Sequence, residues 1–200
     1  MNARGFPVVL SAPSGGGKST VAAGLLKALP FFMQSRSVTT RVPRGDEVRG
    51  REYDFITVEE FGRLRDSGGL AEWAGVHGHF YGTPRAFLDA EFAAGRCPLL
   101  VIDVQGGLQI RRSVPGSVLL FLMPHDLAVT RKRLEERMTD QPGDIEMRLA
   151  NALKEIAAAA EYDYHIVNES LSAAVGAAVR VIQEEYDRKS QGLIRNQLGS

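Results

Sequence analysis

The residues best suited to chemistry lie near the start of the chain, in the segment SAPSGGGKST at 11–20. Glycines let backbone N–H groups approach a ligand closely, and the segment nearly matches the phosphate-binding pattern G-x-x-x-x-G-K-[ST]. Ala12 replaces the first glycine, which is acceptable where φ is negative. We therefore predict a phosphate-binding loop in which Lys18 reaches the β- and γ-phosphates and the Ser19 hydroxyl binds Mg²⁺. The residues assigned to this loop are Ala12, Pro13, Ser14, Gly15, Gly16, Gly17, Lys18, Ser19 and Thr20.

A second group of phosphate-binding side chains lies in SVTTRVPRGDEVRGREYDF at 37–55. Arg41 and Arg44 can converge on one phosphate, with the hydroxyls of Ser37 and Tyr53 completing its shell. The alternative is a solvated run of charge. Beside a phosphate-binding loop, a second phosphate site predicts transfer of phosphate from one nucleotide to another.

A carboxylate, Asp103, ends the hydrophobic segment LLVID. It could face a metal ion or a substrate, or it could simply cap a following helix. The chain lacks a G-[TN]-K-x-D guanine-binding sequence, which argues against a signalling GTPase.

The elements that must position these residues alternate between apolar runs and helical patterns. The runs are apolar throughout, as in a sheet that is covered on both faces. We therefore predict an α/β fold with a doubly wound parallel sheet. The expected strands are 6–12, 97–104, 117–124 and 164–168, and the expected helices run from Lys18 to about Leu29 and over 126–138, 145–162 and 172–190.

Residues 37–95 interrupt that alternation and are predicted to form an inserted mixed α/β lobe. The core then comprises 1–36 and 96–190, with a small lid at about 133–148 that includes a polar loop at 138–144, and a tail at 191–200.

Within the lobe, local signals predict three features. Thr57 and Glu60 form the capping box of a helix, and 77–78 is a hairpin turn. Thr83 is the expected N-cap of a second helix that Gly95 ends.

Composition narrows the class of protein. The 24 Lys and Arg residues balance 24 Asp and Glu residues, so duplex nucleic acid is not an expected partner. The single cysteine, Cys97, fits a reducing compartment and is expected to be buried. No apolar run has the length of a membrane span, so we expect a cytoplasmic protein with no membrane partner. The sequence leaves open whether the chain forms a homo-oligomer.

The combined motifs resemble those of guanylate kinases. The matching pieces are TTRxPRxxE followed by G-x-x-Y, EW at 72–73, YGT at 81–83 and IDVQG at 102–106, and the resemblance runs from near residue 11 to about 187. It implies a P-loop core with a nucleoside-monophosphate-binding lobe and a lid. It also implies a phosphotransferase that uses ATP and Mg²⁺ to convert GMP into GDP.

The resemblance also implies roles for particular residues. Those that hold the acceptor phosphate are Ser37, Arg41, Arg44, Tyr53 and Tyr81. Those that read the guanine base are Glu72 and Thr83, with Asp103 near the acceptor and the metal, directly or through water. Those that act on the transferring phosphate with Lys18 are Arg133, Arg137 and Arg148. Asn168 corresponds to a residue near the donor adenine.

The chain departs from the family pattern at two positions. Val101 replaces an acid that is common in the family, and Met138 replaces a glycine of the lid.

Two rival functions are open. One is that of a kinase-like module that binds phosphopeptides; such modules typically lack the phosphate loop and the lid arginines. The other is a kinase for a phosphorylated ribose, which does not need both Glu72 and Thr83.

Overall fold

The computed structural model describes residues 5–13, 15–43, 45, 47–48, 50, 53–76, 78–126 and 142–198, with side chains left out at 142–149 and 192–198. The predicted helix at 126–138 therefore lies almost wholly outside the described residues. The predicted site residues that also lie outside them are Ser14, Arg44, Arg133, Arg137 and the side chain of Arg148.

Strands and helices alternate along most of the chain. The strands are β1 (Val8–Ser11), β2 (Phe32–Gln34), β3 (Ser37–Thr39), β4 (Tyr53–Phe55), β5 (Leu70–Val76), β6 (His79–Pro84), β7 (Cys97–Val101), β8 (Val118–Pro124) and β9 (Tyr164–Asn168). The helices are α1 (Lys18–Ala28), α2 (Val58–Asp66), α3 (Arg85–Ala93), α4 (Val104–Ser113), α5 (Pro142–Ala158) and α6 (Leu171–Leu198), with a 3₁₀ turn at Ala159–Glu161. None of the helices in the described part of the chain is both long and apolar enough to cross a membrane.

The core is a five-stranded sheet in the order β2-β7-β1-β8-β9, and every neighbouring pair is parallel. The central strand alternates between two packed layers. Val8 and Leu10 point into a layer formed with α1 and α6, whereas Val9 points into a layer that includes α4. Because both faces are covered, the three central strands β7, β1 and β8 are almost wholly apolar, and the predicted doubly wound parallel sheet is confirmed.

A second, four-stranded sheet in the order β4-β3-β6-β5 forms the inserted lobe. Strands β3 and β4 are parallel, and the other two pairs are antiparallel. Val38, Phe61 and Leu70 form its small core. The predicted capping box is confirmed, because Glu60 N–H donates to Thr57 Oγ1 at 3.1 Å and Thr57 N–H donates to Glu60 Oε2 at 2.8 Å.

Helix α4 was not predicted, because the expected strand ran on to residue 104. Strand β7 instead ends at Val101, and Asp103 caps α4 by accepting from Gly106 N–H at 2.8 Å. The two glycines of α4 weaken the helical pattern in the sequence. They are required by packing, since a Cβ on Gly107 would lie 2.0 Å from the Tyr162 hydroxyl.

Several other boundaries also differ from the sequence-based expectation. Pro84, rather than Thr83, is the N-cap of α3, because the Thr83 hydroxyl bonds to a side chain on the neighbouring strand instead. Helix α5 already begins at Pro142, so residues 142–144 are helical and not part of the expected polar loop. Helix α6 continues past residue 190 to Leu198.

Candidate active site

The site lies where the parallel strands end and the inserted lobe begins, as is usual in open α/β sheets. A cavity of about 240 Å³ opens between the two sheets. Ala74, Val76, Val101 and Ile102 form the apolar part of its wall. The predicted site residues that line the same cavity are Lys18, Ser37, Tyr53, Glu72, Tyr81 and Asp103. The fold therefore brings the loop lysine and the lobe residues, which are distant in sequence, to one place.

The predicted phosphate loop joins β1 to α1. Gly16 N–H donates to Pro13 O at 2.9 Å, and Gly17 occupies the helix N-cap with φ of 86°. Ala12 is fully buried, and a Cβ on Gly16 would lie only 2.8 Å from the Ala12 methyl group. Alanine is therefore accommodated at the first motif position because the residue at 16 has no side chain. Ser19 is exposed at the start of α1.

The ammonium group of Lys18 rests on the loop itself, since Nζ donates to Ala12 O at 3.2 Å. Burial lowers the pKa of Lys18, while the negative charges of Glu155 and Asp103 oppose that change. A desolvated cation that bonds, among the described residues, to one carbonyl group is well suited to bind an anion, because an anion replaces the hydration that burial has removed.

The cavity also contains a buried carboxylate. Glu72 is 3% exposed, and Thr83 Oγ1 donates to Glu72 Oε1 at 2.6 Å across the β5–β6 pair. Burial raises the pKa of Glu72 to about 7, the Thr83 hydrogen bond opposes this, and the charge of Asp103 adds to it. The hydroxyl of Thr83 is thus committed to the carboxylate, which fixes the direction in which Glu72 points.

Helix α4 holds the strand that contains Glu72. Gln109 Nε2 donates to Trp73 O at 2.7 Å, and Trp73 N–H donates to Gln109 Oε1 at 3.1 Å. Ser113 Oγ donates to Ala71 O at 2.9 Å. The backbone on both sides of Glu72 is therefore bonded to the core. Sequence reasoning missed these residues, although their i, i+4 spacing could have indicated a shared helix face.

The arginine predicted to hold the acceptor phosphate is already paired. Arg41 is 5% exposed and donates to both oxygens of Glu47, at 2.8 and 2.9 Å. Its Nε donates to the Tyr81 hydroxyl at 3.2 Å, and its guanidinium group lies 5.4 Å from the centre of the Tyr53 ring. Glu47 belongs to the TTRxPRxxE motif but was not singled out as a functional residue. It fixes the guanidinium group beside two tyrosines.

A buried hydroxyl pair ties the loop to the end of β7. Tyr162 Oη donates to Ser11 Oγ at 2.8 Å, and Ser11 Oγ donates to Ile102 O at 2.9 Å. Ser11 immediately precedes the phosphate loop, and Ile102 precedes Asp103. These bonds set the distance between the loop and that carboxylate, and no local sequence pattern predicts them.

The last predicted residue, Asn168, ends β9. Its Nδ2 donates to Gly16 O in the phosphate loop at 3.0 Å. The side chain therefore contacts the backbone of the loop directly.

Comparisons with known proteins agree on one family. A model of the guanylate kinase family matches residues 4–185. A guanylate kinase from Rhizobium etli is 44% identical over 189 residues, which cover 94% of this chain and 86% of the relative. A guanylate kinase from Nitratidesulfovibrio vulgaris is 49% identical over 171 residues, or 85% and 82% of the two chains. The crystal structure of guanylate kinase from Anaplasma phagocytophilum superposes with a TM-score of 0.76 at 35% identity, covering 92% of this chain and 87% of that one.

Proposed function

This chain belongs to the guanylate kinase family, and we propose that the cavity between its two sheets is where phosphate passes from ATP to GMP. The reaction converts the two substrates into ADP and GDP. The observation that best supports the location is that one cavity is lined by both the loop lysine, Lys18, and the buried carboxylate, Glu72. The cavity thus joins a cation suited to the transferring phosphate of ATP with a carboxylate suited to the base of a nucleoside monophosphate.

The guanine base is assigned to Glu72. Guanine presents N1–H and its exocyclic amino group side by side, and one carboxylate can accept from both. Adenine has a lone pair at N1 and no 2-amino group, so it would leave the buried carboxylate unpaired. Because Thr83 is fully buried and already donates to Glu72, we assign Thr83 to orienting the carboxylate that reads the base.

The acceptor phosphate is assigned to Ser37, Tyr53 and Tyr81, which line the cavity. Arg41 contacts both tyrosines. Arg44 follows Arg41 closely in the sequence and is assigned to the same phosphate. Arg41 already uses four of its five N–H donors, two on Glu47, one on Tyr81 and one on Val42 O. Its contribution to phosphate binding is therefore mainly its positive charge and its support of Tyr81.

The donor ATP is assigned to the loop, to Asn168 and to a magnesium ion. The exposed Ser19 hydroxyl and the carboxylate of Asp103, only one of whose oxygens is used to cap α4, are hard oxygen ligands that suit Mg²⁺. When bound, Mg²⁺ neutralises charge on the β- and γ-phosphates. The chain supplies the orientation: the loop glycines allow close backbone approach, and Lys18 places its charge at the transferring group.

Chemistry in this site consists of positioning and charge neutralisation, because the acceptor phosphate oxygen is already an anion and needs no general base. Arg133, Arg137 and Arg148 are assigned to closing over the transferring phosphate. We place the reaction in the cytoplasm, where ATP is formed and a lone buried thiol such as Cys97 stays reduced.

The proposal is tested with a coupled assay of ADP formation, using ATP, Mg²⁺ and one of three acceptors: GMP, AMP or ribose 5-phosphate. GMP is expected to be the preferred acceptor by several orders of magnitude in kcat/KM. Comparable turnover of ribose 5-phosphate would move the assignment to a sugar-phosphate kinase, and no turnover of any acceptor would point to a binding module.

A further inference from the structure

The contact between Asn168 and the phosphate loop joins two distant parts of the chain. Asn168 is the last residue of β9, and Gly16 lies 152 positions earlier, yet Nδ2 of Asn168 is 3.0 Å from Gly16 O. The amide is half-buried at the edge of the loop. It therefore bonds to one particular peptide group of the loop.

The direction of that peptide group decides whether it can bind phosphate. In a trans peptide the C=O and the N–H of the next residue point in opposite directions. Since the Gly16 carbonyl group points towards Asn168, the Gly17 N–H points away from β9. A phosphate held at the start of α1 is bound by N–H groups with this orientation.

The glycines by themselves do not fix the orientation. Gly17 has φ of 86°, in the left-handed region, and glycine adopts either sign of φ at little cost. A flip of the Gly16–Gly17 peptide would place a carbonyl oxygen where the phosphate belongs. A Cβ on Gly17 would lie 3.0 Å from Asn168 Nδ2, so glycine at 17 also makes room for the amide.

We propose that Asn168 is a positioning residue for the phosphate loop, and that its side-chain amide selects the orientation of the Gly16–Gly17 peptide in which the N–H faces the donor phosphates. This inference rests on the proposed role of the loop in binding ATP. It differs from a contact with adenine, because here the triphosphate group, and not the base, depends on Asn168.

The experiment measures dissociation constants by calorimetry for ATP and for inorganic tripolyphosphate, both with Mg²⁺, and for GMP. The full-length variants are Asn168→Ala and Asn168→Leu, which both remove the donor, the second with the same number and branching of side-chain heavy atoms. The matched control is Val167→Ala, at the neighbouring position of β9, where the side chain is 49% exposed. Affinities for ATP and tripolyphosphate are expected to fall together, by about tenfold in both Asn168 variants, with GMP binding within twofold of wild type.

Each other outcome is decisive. Weaker ATP binding with unchanged tripolyphosphate binding would identify an adenine contact and overturn the inference, as would unchanged binding of both ligands. If wild-type protein binds neither ligand, the proposed donor site fails and the positioning role falls with it.

If both Asn168 variants lose GMP binding as well, and so have not folded, wild-type protein still provides a test. Protein labelled with ¹⁵N-asparagine and ¹³C-glycine is titrated with tripolyphosphate and Mg²⁺. A scalar coupling between Asn168 Nδ2 and the Gly16 carbonyl carbon that persists when the ligand is bound supports the inference, and loss of that coupling on binding overturns it.

Discussion

Replacing Glu72 by glutamine separates recognition of guanine from stability of the fold. The variant keeps the shape of the side chain and can still accept from one guanine donor, but its amide group faces the other donor. Loss of a charge-assisted hydrogen bond costs about 1.5–3 kcal/mol, and the unpaired buried donor costs about 1–3 kcal/mol more. The sum, about 3–6 kcal/mol, corresponds to a loss of roughly 10²- to 10⁴-fold in kcat/KM for GMP.

The same substitution should stabilise the folded protein at alkaline pH. The pKa of Glu72 is raised from 4.5 to about 7 in the folded state, so the folded protein binds this proton more tightly than the unfolded chain does. Wild-type stability therefore declines as the pH rises from about 4.5 through about 7. At 1.36 kcal/mol for each pH unit, the decline amounts to about 3 kcal/mol. Glutamine does not ionise, so Glu72→Gln avoids it.

Two measurements check this reasoning. Initial rates with GMP and AMP give kcat/KM for each acceptor, and urea unfolding at pH 5 and pH 8 gives the free energy of unfolding. We expect a variant that loses roughly 10²- to 10⁴-fold in kcat/KM with GMP, is unchanged with the already poor AMP, and exceeds wild type in stability by more at pH 8 than at pH 5. GMP use within a few-fold of wild type would show that Glu72 does not read the base, and equal pH dependence in the two proteins would show that its carboxyl ionises normally.

Four further outcomes are expected. Lys18→Ala should lower kcat by several orders of magnitude with the fold intact by circular dichroism, and near-normal turnover would refute its role. Arg41→Ala removes the hydrogen bond that holds Tyr81, so it should raise KM for GMP by up to about tenfold and leave KM for ATP within twofold, in steady-state kinetics with each nucleotide varied. Gly107→Ala should destabilise the protein by about 1–3 kcal/mol in urea unfolding, and Tyr162→Phe in the same chain should recover part of that loss. Binding of guanosine, which lacks the titrating phosphate of GMP, should release about one proton from Glu72 at pH 6 and none at pH 8.5, because the raised pKa keeps Glu72 protonated only at the lower pH. Calorimetry in buffers of different ionisation enthalpy measures this release. Equal release by wild type and Glu72→Gln would contradict the assignment of the proton to Glu72.

The parts of the fold that were predictable are those governed by local patterns. Strands buried between two layers, such as β7 and β8, are apolar along their whole length, and the glycine loop follows from spacing alone. Helix α4 was missed because Gly106 and Gly107 serve packing against other elements, and such contacts are not visible in the local pattern.

Within the site, the sequence indicates candidate residues but not the hydrogen bonds that their side chains make. Thr83 has the right type and position to cap α3, but its hydroxyl donates a hydrogen bond to Glu72 instead. Glu47 lies six residues from Arg41 in an irregular segment, where neither helical nor strand periodicity indicates that the two side chains meet. Predicting either pairing requires the tertiary structure.

The two hydrogen bonds between the Gln109 side chain and the Trp73 backbone have a consequence for solubility. Strand β5 lies at the edge of the lobe sheet, and an unpaired edge can recruit a strand from another molecule. The amide of Gln109 bonds to both the N–H and the C=O of Trp73, as a neighbouring strand would, and Ser113 occupies the carbonyl group of Ala71. Helix α4 therefore protects this edge from intermolecular β-pairing, and a chain with alanine at 109 would be more prone to aggregate on concentration.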